Sequence, residues 1–301
     1  MKSLVTVLAM ACFTLTTSFA STAKDHCNFI PKNNLNIPVG MELNGGIDEK
    51  TFNRVIDNVS SFYAPIIKSR GGVLKVNRLW TDGTVNASAQ RSGKTWILNM
   101  YGGLARHSIT TEDGFSLVMC HEMGHQLGGY PQFASAKNGS EWAANEGQAD
   151  YFATMKCFRR VFEKADNASV VAGLNVPEIV KSKCSDTFKS SEEIALCERE
   201  SMAGNTLALL LWTLSNGNNA NGIRATSEQP AFDTPDSSVV GTTDDSHPAA
   251  QCRLDTYFNG SICGATFTQD FGKSDPITGA CAVEKGDQIG VRPLCWYKPK
   301  N

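Results

Sequence analysis

His121-Glu122-Met123-Gly124-His125 sets two imidazoles four positions apart with a carboxylate between them. On an α-helix that spacing puts both rings on one face, one turn apart, where each can offer a nitrogen to a single zinc ion at about 2.0–2.1 Å. Glu122 then lies beside the metal. A carboxylate there can take a proton from zinc-bound water, whose pKa the ion lowers to about 7. A second segment, Glu146-Gly147-Gln148-Ala149-Asp150, follows 21 residues beyond His125 and again spaces two chemical groups by four. Alone it would be an ordinary pair on a helix surface. Beside the histidines, Glu146 is the expected third metal ligand and Asp150 the carboxylate that fixes a ligand histidine's tautomer. Cys120 points about 100° away from His121 around the helix. It is expected to pack or to form a disulfide, not to bind the metal.

These groups need elements to carry them. Asp48 can cap a helix whose apolar positions Phe52, Val55, Ile56, Val59, Phe62 and Tyr63 recur at helical spacing and which ends near Gly71-Gly72. Val73–Val76, Gly83–Ala89 and Thr95–Tyr101 read as strands, with a turn over Gln90–Lys94. Thr110 with Asp113 offers a cap for the metal helix, which Gly128-Gly129 end. Ser140 can cap the helix bearing Glu146 and Asp150, which runs to Phe162. A long helix from Ser190 through Leu214 is apolar nearly all round at Thr206–Leu214, as a buried central helix would be. The segment 24–46 reads as an irregular surface wrap tied down by Cys27.

The chain has 301 residues, a net charge of −2 and a pI near 6.2, so it carries no basic footprint for nucleic acid or anionic lipid. Lys2, the apolar run Leu4–Leu15 and small residues near Ala20 read as a cleaved secretory signal, residues 1–20, with a second cleavage point at 23. No later stretch approaches the roughly 20 apolar residues of a permanent anchor. Ala9-Met10-Ala11-Cys12 lacks the leucine placement of a lipoprotein box. The expected product is exported, periplasmic or extracellular. Of ten cysteines, Cys12 falls in the leader; the other nine predict four disulfides and one free thiol. Cys184 with Cys197 and Cys252 with Cys263 are the local pairs expected. Asp233, Asp236, Asp244 and Asp245 are the acidic residues that would serve a calcium ion, although their spacing fits no regular calcium loop and solvated carboxylates are the commoner case. Asn58, Asn86, Asn138, Asn167 and Asn259 each open an Asn-x-Ser triplet.

With these motifs in order, the chain resembles the zincin metallopeptidases, and among them the gluzincins of the HtpX-like and CAAX prenyl endopeptidase type. The likeness rests on Asn86-Ala87-Ser88-Ala89 with Gly102-Gly103-Leu104, His121–His125, Glu146–Asp150, and Ser246-His247-Pro248 with Arg253. It departs in lacking those families' membrane helices and in its many cysteines. The resemblance implies an α+β zincin fold: a small twisted sheet over the two metal helices, a mostly helical second half and a disulfide-stapled tail. It implies a peptidase domain over 24–258, with 259–301 as a cysteine-containing extension. It also implies one catalytic zinc held by His121, His125 and Glu146, with Glu122 as general base and a protein or peptide substrate laid along a sheet edge at Asn86 and Ala87. His247 would donate to the oxyanion, with Tyr257 as the rival donor. The alternatives are a binding protein on the same fold without turnover and a structural zinc protein.

Overall fold

The computed structural model describes residues 27–41, 45–133, 142–216 and 227–300. Asp48 caps the first helix, α1 (Glu49–Ser69), accepting a hydrogen bond from Thr51 N at 2.8 Å. Phe52, Val55, Ile56, Val59, Tyr63 and Ile67 form its buried stripe. Phe62, adjacent to that stripe, is 38% exposed and does not belong to it.

Three strands come next, β1 (Val73–Leu79), β2 (Ala87–Ser92) and β3 (Thr95–Tyr101), in the order β1-β3-β2, with β1 parallel and β2 antiparallel to β3. β2 begins later than expected and runs straight through Gln90, because the reversal needs only Gly93 and Lys94. Gly93 supplies the positive φ of 57° that a two-residue hairpin requires. After a short helix, α2 (Gly102–Arg106), comes α3 (Glu112–Leu127), buried at every position from Gly114 onward. Its cap is Thr111, whose hydroxyl accepts from Gly114 N at 3.0 Å; the expected cap, Thr110, donates instead to Leu104 O at 2.7 Å. α3 is covered by β2 and β3 and by α1, so an apolar stripe on one side alone would not suffice.

The second metal helix starts at Glu146, not near Ser140, which lies outside the described residues along with Asn138. Asn145 caps it, accepting from Gln148 N at 3.0 Å. α4 (Glu146–Phe152) passes through a π-helical stretch (Ala153–Phe158) into α5 (Arg159–Phe162). α6 (Asn167–Ala172), α7 (Glu178–Thr187), α8 (Ser191–Asn216) and α9 (Ala250–Ser261) complete the helical half. Ser190 and Glu193 cap α8, the serine hydroxyl accepting from Glu193 N at 3.2 Å and donating to its carboxylate at 2.9 Å. The fold is thus α+β, with a small sheet and a helical, disulfide-bearing second half.

Four disulfides join Cys120–Cys157, Cys184–Cys197, Cys252–Cys295 and Cys263–Cys281, and Cys27 is the free thiol among the described residues. The expected Cys252–Cys263 pair is wrong. Those residues stand at opposite ends of α9, where eleven steps of about 1.5 Å separate them by roughly 16 Å, far beyond the Cα reach of a disulfide. Cys27 likewise does not tie down a surface wrap: it is unpaired and buried, and Phe29 and Ile30 beside it are fully buried core residues. No helix of the described residues is long and apolar enough to cross a membrane. The disulfides are consistent with an oxidising compartment.

Candidate metal centre

The two metal helices meet at a glycine. A Cβ on Gly124 would stand 2.7 Å from Ala149 O, so α3 and α4 approach backbone to backbone between His121, His125 and Glu146. Gly147 plays the same part on the far side of α4, where a Cβ would fall 2.2 Å from the Trp296 ring. Cys120–Cys157 links the two helical segments covalently.

The crossing brings Glu146 Oε2 to 3.3 Å from His121 Nε2 and Glu146 Oε1 to 3.6 Å from His125 Nε2. His121, His125 and Glu146 are fully buried, and their ligand atoms all lie within 4.8 Å of one another. Each imidazole is oriented from behind. His121 Nδ1 lies 2.7 Å from Asp150 Oδ1 and His125 Nδ1 lies 2.8 Å from Ala144 O. Donation from each Nδ1 leaves both Nε2 lone pairs directed at the shared point. Neither Nε2, neither Glu146 oxygen and neither Glu122 oxygen has a hydrogen-bond partner. Buried polar atoms are ordinarily satisfied, so the unpartnered ligand atoms of His121, His125 and Glu146, gathered within 4.8 Å of one another, fit a bound cation. The group can hold a metal ion. The other cluster of potential ligands, Asp236 with Cys252 and Cys295, is discounted because both sulfurs are spent in a disulfide.

The buried carboxylates differ in their electrostatics. Burial pushes Glu122 well above the usual carboxylate range, with the His121 charge opposing and the Glu146 charge adding to it. Burial would raise Glu146 too, but His247, His125 and His121 together hold it below its ordinary value. Burial depresses His125 to about 4 against the pull of Glu146. His121 goes the other way: the Asp150 charge and hydrogen bond outweigh burial and hold it at about 9, so a cation must displace that proton to bind.

Arg253, which the sequence places after the His-Pro pair as a residue able to hold a neighbouring carboxylate or carbonyl, does both behind His121. Its Nε and one terminal nitrogen grip Asp150 at 2.7 and 2.6 Å, and the other terminal nitrogen donates to Phe29 O at 2.7 Å. Burial would favour an uncharged Asp150, but Arg253 and His121 hold its carboxyl well below the usual range. The Tyr257 hydroxyl donates to Asp150 Oδ1 at 2.6 Å, which commits it there and removes it as the rival oxyanion donor.

His247 lies at the edge of this cluster, its Nε2 3.5 Å from Glu146 Oε2 and 2.7 Å from Asn28 O. Ala87 opens the edge strand β2 and Asn86 immediately precedes it, but they engage Phe29 and Ile30 of the chain itself. Sequence patterning does not single out that segment; its one signal is the apolar Phe29-Ile30 pair in polar surroundings. The four aspartates do not form a calcium cluster among the described residues. Asp236 accepts from Ser238 N at 2.9 Å, Asp244 from Ser246 N at 2.9 Å and Asp245 from Asn145 Nδ2 at 3.1 Å. A cleft of about 700 Å³ opens past the end of α3, lined by Arg91, Trp96, Gln126 and Trp142 but by none of the metal-facing groups.

No family model, curated protein or solved structure matches this chain.

Proposed function

We propose that the protein is an exported zinc endopeptidase of the gluzincin kind. The observation that carries this reading is the set of six unpartnered buried atoms on His121, Glu122, His125 and Glu146. Three of those residues are ligands of the number and type found in catalytic zinc sites, which keep a position open for water or substrate. Zinc bound there would polarise the scissile carbonyl and acidify a water molecule. Glu122 takes the water's proton and passes it to the departing amine, a task its raised affinity for protons suits. His247 donates to the carbonyl oxygen as charge builds on it, a contact typically worth about 10²–10³ in turnover. The backbone of β2 and the Asn86 amide align the peptide by main-chain hydrogen bonds.

The test is metal analysis together with cleavage of unfolded casein. One zinc per chain, chelator-sensitive cleavage, and a Glu122→Gln variant that keeps its zinc but no longer cleaves are the expected results. A variant cleaving at the parent rate, or a parent protein that binds no metal, overturns the reading.

A further inference from the structure

The outer strand that a substrate would need already has an occupant. β2 ends the sheet, and along its free side Phe29 N donates to Ala87 O at 3.0 Å while Ala89 N donates to Cys27 O at 2.9 Å. Asn28 faces Ser88 there in an antiparallel bridge. The Asn86 amide takes the next residue on both sides, accepting from Ile30 N at 3.2 Å and donating to Ile30 O at 3.0 Å. From the metal side, His247 meets Asn28 O at 2.7 Å and Arg253 donates to Phe29 O at 2.7 Å. Carbonyls or amides of four successive residues are therefore held by Asn86, Ala87 and His247, to which the proposed reaction assigns peptide substrate, together with Ala89 and Arg253.

Side chains alternate along an extended segment, so Cys27 and Phe29 share a face. Phe29 sets its ring edge-on to His121, with centroids 5.4 Å apart, beneath the Arg253 guanidinium at 4.6 Å. Cys27 looks the same way. It is buried and uncommitted to any disulfide.

We propose that residues 27–30 are a tethered occupant of the peptide-binding edge, lying there as a substrate would with Cys27 turned toward the metal centre, and that peptide enters only when this segment leaves. The inference rests on the peptidase reading above. A segment tethered by a short link competes at an effective concentration in the millimolar range, well above most free substrates. The apparent affinity for peptide falls in proportion to the fraction of molecules whose edge is free. The chain is thereby held latent, and whatever displaces or cuts the segment activates it.

The experiment uses the full-length, zinc-loaded protein, an extended peptide ending in a hydroxamate as the edge ligand, and iodoacetamide as the probe of Cys27. Alkylation of Cys27 is slow in the protein alone and becomes about tenfold faster or more when the hydroxamate saturates it, zinc remaining bound. Phe29→Ala, which weakens the segment's hold, binds the hydroxamate about tenfold more tightly; since that variant removes core packing, the measurement on the parent protein decides. If the hydroxamate binds by calorimetry and Cys27 reactivity does not change, the segment is an ordinary sheet strand and the inference fails while the peptidase reading stands. If neither zinc nor hydroxamate binds, the peptidase reading fails and takes this inference with it.

Discussion

Asp150 accepts hydrogen bonds from the His121 ring, from two nitrogens of Arg253 and from the Tyr257 hydroxyl, all of them buried. An asparagine there keeps the shape but turns an amide donor against a cluster of donors. Asp150→Asn is expected to weaken zinc binding by about 10- to 100-fold, as second-layer changes generally do. It also strips the buried Arg253 of its counter-charge, which costs about 3–5 kcal/mol. Dialysis against a weak chelator measures the first effect and urea unfolding the second. A variant with the parent's zinc affinity would mean that His121 is oriented by something else. In the proposed reaction Glu122 differs from its neighbours: the two histidines and Glu146 would hold the cation, whereas Glu122, whose buried oxygens also lack hydrogen-bond partners, would accept the proton.

Among the elements, α8 carries a buried carboxylate away from that cluster, with a different fate. Glu200 lies fully inside, paired with Arg159 Nε at 2.9 Å, and burial raises it to about 8 even though Arg159 pulls it down. Its unfolded value is near 4.3. Between those values the unfolded chain has given up the proton that the folded chain keeps, so stability falls as pH rises toward 8 and is flat above it. Glu200→Gln has no proton to lose. The parent is therefore expected to lose stability relative to Glu200→Gln on going from pH 5 to pH 8, by up to about 1.4 kcal/mol per pH unit. Urea unfolding of both proteins across that range tests it; parallel pH profiles would show that Glu200 is ionised in the fold throughout. The Arg159 guanidinium also serves the backbone carbonyls of Gly260, Ser261 and Cys263, so this helix pairing holds the end of α9 as well as α8.

At the scale of the molecule, the segment after α9 has little regular structure and is held by chemistry of other kinds. Cys295 is bonded to Cys252, and Trp296 packs against Gly147 while its indole nitrogen donates to Thr256 Oγ1 at 2.9 Å. Arg292 reaches Gln148 Oε1 at 2.7 Å, and Lys156 donates to Gly279 O at 2.6 Å. Residues in the segment after α9 thus brace the back of α4 and the π-helical stretch that follows it. Replacing Cys252 and Cys295 by alanine is expected to cost about 2–4 kcal/mol. Losing Cys184–Cys197 should cost roughly 1 kcal/mol less, because the loop-closure entropy grows with loop length and these bridges span 43 and 13 residues. Denaturation of the two double variants under oxidising conditions checks the order. The reverse ranking would mean that packing around the bridge, not loop closure, sets its contribution.

The sequence alone determined the features that local period and counting dictate. Four-residue spacing put His121 with His125 and Glu146 with Asp150 on common helix faces, because a helix repeats every 3.6 residues whatever surrounds it. An odd number of cysteines beyond the expected leader required a free thiol. The first helix, the strand at Thr95–Tyr101 and the Cys184–Cys197 pair were legible for the same reason. Everything that joins distant parts of the chain was decided by tertiary structure. Cys252 meets Cys295 and not Cys263 because α9 is rigid between the latter two. Thr111, not Thr110, caps α3 because Thr110 is drawn to Leu104 O. Arg253 binds Asp150 across 103 residues, and residues 27–30 pair with a strand some sixty positions further along. Nothing in the spacing of those residues encodes such a meeting. It arises only when the helices and the sheet pack together and bring remote donors and acceptors within hydrogen-bonding distance.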